Sequence, residues 1–185
     1  MTRILGAILA GGRSRRFGSD KAAAMLAGKP LIDHAIAALA SQVDAILICG
    51  RDMAGYECTP DRPRPDLGPL GGLNAALHWA VAHGLDRVLT APCDTPFLPP
   101  DLPALLIAPD RPAFVADMPV IGLWPAALAC DLAKHLAASD DRSMRGWSRL
   151  TGAVAIRVDG LANVNTPGDL DRLARAVTPS RATDR

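Results

Sequence analysis

Ile4–Leu9 is a nearly unbroken apolar run that stops at a glycine pair. Such a run is the pattern of a strand buried on both faces of a parallel sheet. Further short apolar runs predict strands over Ala45–Cys49, Arg87–Ala91, Ala113–Ala116, Val120–Trp124 and Val154–Val158. Between them the apolar residues fall at helical spacing. Ile32, Ile36, Leu39 and Val43 predict a helix that Pro30 starts, after a turn over Ala27–Pro30. Leu73, Leu77 and Val81 predict another over Gly71–His83. Shorter helices are predicted over Leu102–Ile107, Ala126–Ala138 and Ser143–Leu150, and a closing one over Pro167–Val177. Pro60, Pro63 and Pro65 make Gly50–Asp66 an irregular loop. Strands alternating with helices predict an α/β fold, a three-layer α/β/α sandwich with a mostly parallel sheet. Ligands of such sheets bind beyond the carboxyl ends of the strands. No internal repeat or second domain is visible. The reading is one domain over residues 1–177 and a disordered polar tail over 178–185.

Composition narrows the classes. A chain of 185 residues can bury a sizeable core as one domain. A formal net charge of +1 lacks the basic excess of a general nucleic-acid binder, so no nucleic-acid partner is expected. The basic residues instead gather at Arg13–Lys21 and Arg142–Arg149, which suits one anionic pocket ligand. Cys49, Cys58, Cys93 and Cys130 are scattered without zinc spacing, against a disulfide framework or zinc site. The apolar run after Arg3 is too short for a signal peptide and ends in Gly-Gly and arginines. No segment approaches the ~20 apolar residues of a membrane span, so a cytoplasmic location without membrane contact is expected.

The stretch from Leu9 to Lys21, LAGGRSRRFGSDK, carries the chemistry. Gly11 and Gly12 let the backbone turn sharply and set its N–H groups against a ligand. Arg13, Arg15, Arg16 and Lys21 surround them with positive charge, which suits a phosphate chain. Neither a Walker loop nor a dinucleotide fingerprint fits these residues, and a solvated surface turn is the plainer alternative. Asp94 leaves its strand in a loop stiffened by Pro92 and Pro96. Alone it reads as a turn aspartate. Opposite a phosphate loop, a rigid carboxylate is what Mg²⁺ needs, because that ion takes one or two carboxylates plus phosphate oxygens and waters. His34, His78, His83 and His135 all fall in predicted helices, and no nucleophile–base pair can be assembled. A nucleophile that arrives ionised, such as a phosphate monoester, needs only positioning and charge neutralisation.

LAGG…RRFGSDK, GKPL (Gly28–Leu31), GPLGGL (Gly68–Leu73), PCDTPFLPPDL (Pro92–Leu102) and NVNTPGDL (Asn163–Leu170) follow one another across most of the chain. In this combination the sequence resembles the molybdenum cofactor guanylyltransferases, the MobA family. CDTP followed by NVNTP in so short a chain points to the guanylyl rather than the cytidylyl branch, which carries Gln in place of that Thr. The resemblance implies a Rossmann-like nucleotidyltransferase fold and transfer of GMP from GTP to Mo-molybdopterin with Mg²⁺. It implies that Leu9, Ala10, Gly11, Gly12 and Lys21 bind the nucleotide, that Asp66 helps hold the nucleoside, and that Asp94 ligates Mg²⁺. Arg16 matches a basic residue near the reacting phosphates, so Arg16, Lys21 and Asp94 are the implied catalytic set. Asn165 matches a residue on the pterin side, whereas Thr166, Pro167 and Asp169 are accounted for as N-cap, N1 and N3 of a helix. Transient contact with molybdoenzymes or their chaperones follows from the same resemblance. The chain departs from the family at Ile48-Cys49-Gly50-Arg51, where many relatives place an asparagine near the nucleoside, and at Pro119–Pro125, from which no pterin contact carries over. The alternatives are a related nucleotidyltransferase using CTP or a sugar phosphate, and a non-catalytic module that binds and delivers molybdenum cofactor.

Overall fold

The alternation of buried residues along the first strand sets the layers. A computed structural model of the chain describes residues 2–11, 21–107 and 111–177. Strand β1 (Ile4–Leu9) buries Leu5 and Ala7 on one face and Ile4 and Ile8 on the other. Leu5 and Ala7 belong to one apolar cluster with Leu70, Leu73 and Leu77 of α2 (Pro69–Ala82), Leu132 and Leu136 of α4 (Ala129–Ala138) and Trp147 of α5 (Met144–Leu150). Ile4 and Ile8 belong to a second apolar cluster with Ile32, Ile36 and Leu39 of α1 (Leu31–Ala40) and Leu102 and Leu106 of α3 (Leu102–Leu106). Two apolar layers therefore sandwich one sheet, as the alternation of elements predicts. Gly6 sits where a Cβ would lie 2.9 Å from side-chain atoms of Leu39, Val43 and Ile46, so its lack of a side chain lets α1 approach the sheet.

The seven-stranded sheet has the order β5-β4-β1-β6-β8-β7-β9. Strands β4 (Ala45–Cys49) and β5 (Glu57–Thr59) lie on one side of β1, and β6 (Arg87–Pro92) on the other, all parallel. Strand β8 (Gly122–Pro125) runs antiparallel to both β6 and β7 (Ala113–Val115), and β9 (Val154–Ile156) pairs parallel with β7. The reversed strand has a simple cause. The link from β7 to β8 is too short for a parallel crossover and closes as a tight connection, with the Val115 and Ile121 N–H groups bonded to the carbonyls of Ile121 and Met118. The reversal leaves the exits of β1, β4, β5, β6, β7 and β9 on one edge.

Two pieces of regular structure fall where the sequence predicts none. Strand β5 lies inside the proline-punctuated segment, its pairing with β4 supplying hydrogen bonds that no local periodicity announces. The Ala27–Pro30 turn closes a two-residue hairpin, β2 (Met25–Leu26) with β3 (Lys29–Pro30). Leu26 and Leu31 join Val164 in a third small core, against Leu170, Leu173 and Ala174 of α6 (Pro167–Val177). That core docks the last helix beside the segment following the glycine loop. None of the described helices is long and apolar enough to cross a membrane.

Candidate active site

Three motifs far apart in the chain meet at the carboxyl edge of the sheet. Lys21 opens a short 3-10 turn (Lys21–Ala23), and its Nζ donates to Asp94 Oδ2 at 2.6 Å and to Asn165 Oδ1 at 3.0 Å. The Lys21 and Asp94 side chains are 12% and 18% exposed, so this ion pair is largely withdrawn from water. Asn163 Nδ2 reaches Asn165 Oδ1 at 3.4 Å. The second oxygen of the aspartate, Asp94 Oδ1, is buried without a hydrogen-bond partner, as is Asn163 Oδ1. A buried unpartnered carboxylate oxygen is costly, and such atoms mark places where a ligand completes the arrangement.

The backbone explains how these residues are held. The Asp94 carbonyl accepts from the Val164 N–H at 3.0 Å, stitching the loop after β6 to the loop before α6. Val164 is fully buried in the third core. Next to Asp94, Thr95 is fully buried, with its hydroxyl 3.8 Å from Met118 Sδ. Asn165 is set by the start of α6. Asp169 Oδ2 accepts from the N–H groups of Asn165 (3.0 Å) and Thr166 (2.8 Å), while Thr166 Oγ1 accepts from the Asp169 N–H at 3.2 Å. This reciprocal cap matches the predicted N-cap and N3 pair.

The Asp169 carboxyl is held down to about 2 from an ordinary 3.8, first by the Thr166 hydroxyl, then by Arg172, then by the two backbone N–H groups. A depressed folded value means that its contribution is present above 3.8 and is lost as pH falls through about 2. Amide exchange of Asn165 and Thr166 is therefore expected to accelerate across that acid window, and Asp169→Ala to remove the pH step. An unchanged step in the variant would contradict the cap.

At the exit of β1, the Ala10 N–H bonds the Cys49 carbonyl (2.9 Å), and the Leu9 carbonyl accepts from the Cys93 N–H (3.3 Å). The Gly11 N–H has no hydrogen-bond partner among the described residues. Gly50 presses against this point: a Cβ there would lie 2.5 Å from Gly11 Cα, and its φ is +84°. Only glycine meets both demands. Gly12 and Arg16, both singled out by the sequence, lie outside the described residues, as do Arg13 and Arg15.

Asp66 lies on the other flank of β1, with a left-handed backbone at φ +63°. Beside it is a residue the sequence reading missed. The Asp61 carboxylate occupies a niche formed by Gly11, Gly50, Gly71 and Gly72, its oxygens 3.1–3.5 Å from where Cβ atoms of Gly11, Gly50 and Gly72 would stand. Burial, then the charge of Asp66, raises its carboxyl above the ordinary range. The neighbouring Cys49 thiol is pushed far up by burial and then by Asp61, which makes it no nucleophile. Asn163 was also missed as an individual residue, although its motif was noted.

No histidine joins the site. His34 Nε2, His78 Nδ1, His83 Nδ1 and His135 Nε2 lie 2.8–2.9 Å from the backbone carbonyls of Leu26, Asn74, Trp79 and Asp141, so each ring is engaged locally as donor. Among the described residues no group of three or more His, Cys, Asp and Glu could hold a metal by itself. A cation here would rely on Asp94 and on oxygens brought by a ligand, which matches the sparse protein coordination of Mg²⁺.

Known proteins resemble the chain over nearly all its length. A molybdenum cofactor guanylyltransferase of Cereibacter sphaeroides is 40% identical over 184 residues, spanning 92% of this chain and 95% of that protein. Its namesake in Rhodobacter capsulatus is 41% identical over 184 residues, spanning 92% and 94%. The crystal structure of molybdopterin-guanine dinucleotide biosynthesis protein A from Archaeoglobus fulgidus shares the fold, with a TM-score of 0.76 at 22% identity, covering 93% of this chain and 97% of that one. The family model described as the MobA-like NTP transferase domain matches residues 6–155. With its glycine loop, its Asp94 loop and these relatives in agreement, the chain belongs to the MobA-like NTP transferase family.

Proposed function

We propose that this protein transfers GMP from GTP to Mo-molybdopterin. An oxygen of the molybdopterin phosphate attacks the α-phosphorus of GTP, the bond to the bridging α–β oxygen breaks, and pyrophosphate leaves with that electron pair. The product is the guanine dinucleotide form of the cofactor. The observation that carries this reading is the meeting of Lys21, Asp94 and Asn165, with Nζ 2.6 Å and 3.0 Å from the two partner oxygens. One cation, one carboxylate and one amide, with no histidine beside them among the described residues, suit transfer between groups that are already ionised.

The chain's own residues divide the work by charge and place. The Gly11 N–H offers a donor to the nucleotide phosphates. Lys21 exchanges its ground-state partner Asp94 for a phosphate oxygen when nucleotide enters, which keeps both charges compensated before and after binding. Asp94, with Oδ1 already unpartnered, is the residue fitted to hold Mg²⁺. Bound there, the ion would neutralise charge on the α-phosphate and polarise it for attack. Asn165, anchored by the α6 cap, orients the acceptor, and Arg16 stabilises charge that develops during transfer.

GTP with Mg²⁺ is expected to raise the melting temperature by mass action, and CTP at equal concentration to raise it much less. Thermal unfolding with each nucleotide checks this. Equal shifts would contradict the guanine assignment and favour a transferase using CTP.

A further inference from the structure

We propose that Lys21 couples the binding of the two substrates: its ammonium holds the Asn165 side-chain oxygen until nucleotide phosphates draw it away, and that oxygen then accepts from an N–H group of the molybdopterin. The coupling rests on the guanylyl reading above and makes each substrate strengthen the binding of the other.

Lys21 Nζ lies 2.6 Å from Asp94 Oδ2 and 3.0 Å from Asn165 Oδ1. Asn165 Oδ1 also faces Asn163 Nδ2 at 3.4 Å. An amide oxygen has two lone pairs, so these two donors fill it. A phosphate oxygen competes well for the ammonium. Lys21 then gives up a neutral amide acceptor and gains an anionic one, which is the stronger partner.

The exchange is confined to side chains because the backbone around them is pinned. The Asn165 N–H bonds Asp169 Oδ2 at 3.0 Å, and the Val164 N–H bonds the Asp94 carbonyl at 3.0 Å. Val164 itself is fully buried. On the other side the Lys21 carbonyl accepts from the Ala24 N–H at 3.2 Å, and the Ala24 carbonyl from the Leu31 N–H at 2.9 Å, where α1 begins. Two discrete side-chain arrangements on one fixed backbone are what energetic coupling between neighbouring sites requires.

The cluster is rich in hydrogen-bond acceptors. Asp94 Oδ1 and Asn163 Oδ1 are buried with no hydrogen-bond partner among the described residues. When Lys21 turns to the nucleotide, Asn165 Oδ1 becomes a third acceptor next to them. Unpaired acceptors away from bulk water are costly, and a ligand that brings donors removes the cost. The pterin ring carries N–H donors, whereas the phosphates of GTP carry none. The oxygen released by one substrate therefore suits the other. Molybdopterin arriving first has to displace Lys21 from Asn165, and arriving second it does not. Coupling of this kind is worth about 5- to 150-fold in affinity and is reciprocal.

Direct contact between the two ligands is the competing account, since a cation shared by both would strengthen acceptor binding without help from Asn165. Asn165→Ala separates the two. Under direct contact the variant loses acceptor affinity by one factor with or without nucleotide, and the coupling survives. Under the Lys21–Asn165 exchange the loss is confined to the nucleotide-bound form, and the coupling disappears.

The experiment is titration calorimetry with Mg²⁺ and the α,β-methylene analogue of GTP, whose bridging carbon prevents transfer. Mo-molybdopterin is titrated into wild type and Asn165→Ala, each with and without saturating analogue, and the analogue is titrated with and without Mo-molybdopterin. Wild type is expected to bind each ligand about tenfold more tightly when the other is present. In Asn165→Ala both ratios are expected to fall within about twofold of unity. A ratio of one in wild type overturns the proposal, and that measurement stands even if the variant fails to fold. So does a folded Asn165→Ala that keeps the wild-type ratio. Failure of wild type to bind the analogue or Mo-molybdopterin at all contradicts the guanylyl reading itself. Binding of both at independent affinities leaves that reading in place and removes only the coupling.

Discussion

Asp94→Asn is expected to leave the fold intact and to remove more than about nine-tenths of turnover. Asparagine keeps the shape and can still accept from Lys21 Nζ, which sits 2.6 Å from Oδ2 in the native pair. What it loses is the negative charge at a site where Oδ1 is already buried and unpartnered. Loss of a charged metal ligand costs several kcal/mol of transition-state stabilisation, and each ~1.4 kcal/mol is tenfold in rate. The variant's Lys21 keeps a neutral acceptor, so the destabilisation stays below the ~3–5 kcal/mol of breaking a buried ion pair outright. Circular dichroism and thermal melting check the fold, and steady-state kinetics the activity. A folded variant retaining more than about a tenth of wild-type turnover would contradict the metal role.

The second large effect belongs to Lys21→Ala. Its ammonium already points at the place where anionic groups gather, held there by Asp94 and Asn165, and is only 12% exposed. In the proposed mechanism it meets nucleotide phosphates in the ground state. Its removal is therefore expected to weaken GTP binding itself by at least about tenfold, since charge-assisted bonds away from bulk water are the strong ones. The truncation also leaves Asp94 facing the phosphates without compensation, which acts in the same direction. Arg16→Ala should differ, lowering kcat with a modest loss of GTP affinity, because interactions made only in the transition state lower kcat and kcat/KM together. Calorimetry and steady-state kinetics on both variants separate the two. Equal loss of affinity in both, with kcat unchanged for Arg16→Ala, would contradict the division.

The apolar runs Ile4–Leu9 and Ala45–Cys49 became β1 and β4 with the same bounds, because strands buried on both faces leave no room for polar residues. The helix over Pro167–Val177 and its cap were equally legible, since Thr166 and Asp169 interact within four residues. The direction of β8 was not legible, because side-chain alternation is the same for parallel and antiparallel neighbours. Strand β5 is three residues long and only half-buried, so its pairing with β4 exists only once β4 is in place.

The same distinction runs through the site. Asp94 was conspicuous because two prolines stiffen its loop, and its meeting with Lys21 spans 73 positions that motif order, not local pattern, brought into view. Asp61 was invisible for the opposite reason. It sits among prolines with no periodicity around it, and its niche is built from glycines drawn from three separate parts of the chain: the exit of β1, the exit of β4 and the start of α2. The neighbouring Asp66 stood out only because it precedes the GPLGGL run.

The most direct measurement combines purified protein with GTP, Mg²⁺ and Mo-molybdopterin, and follows dinucleotide and pyrophosphate together. Guanine dinucleotide and pyrophosphate formed in equal amounts, with CTP giving little of either, are the result expected of a guanylyl transfer at Lys21 and Asp94. Binding of nucleotide and molybdopterin without pyrophosphate release would contradict it and identify a carrier instead.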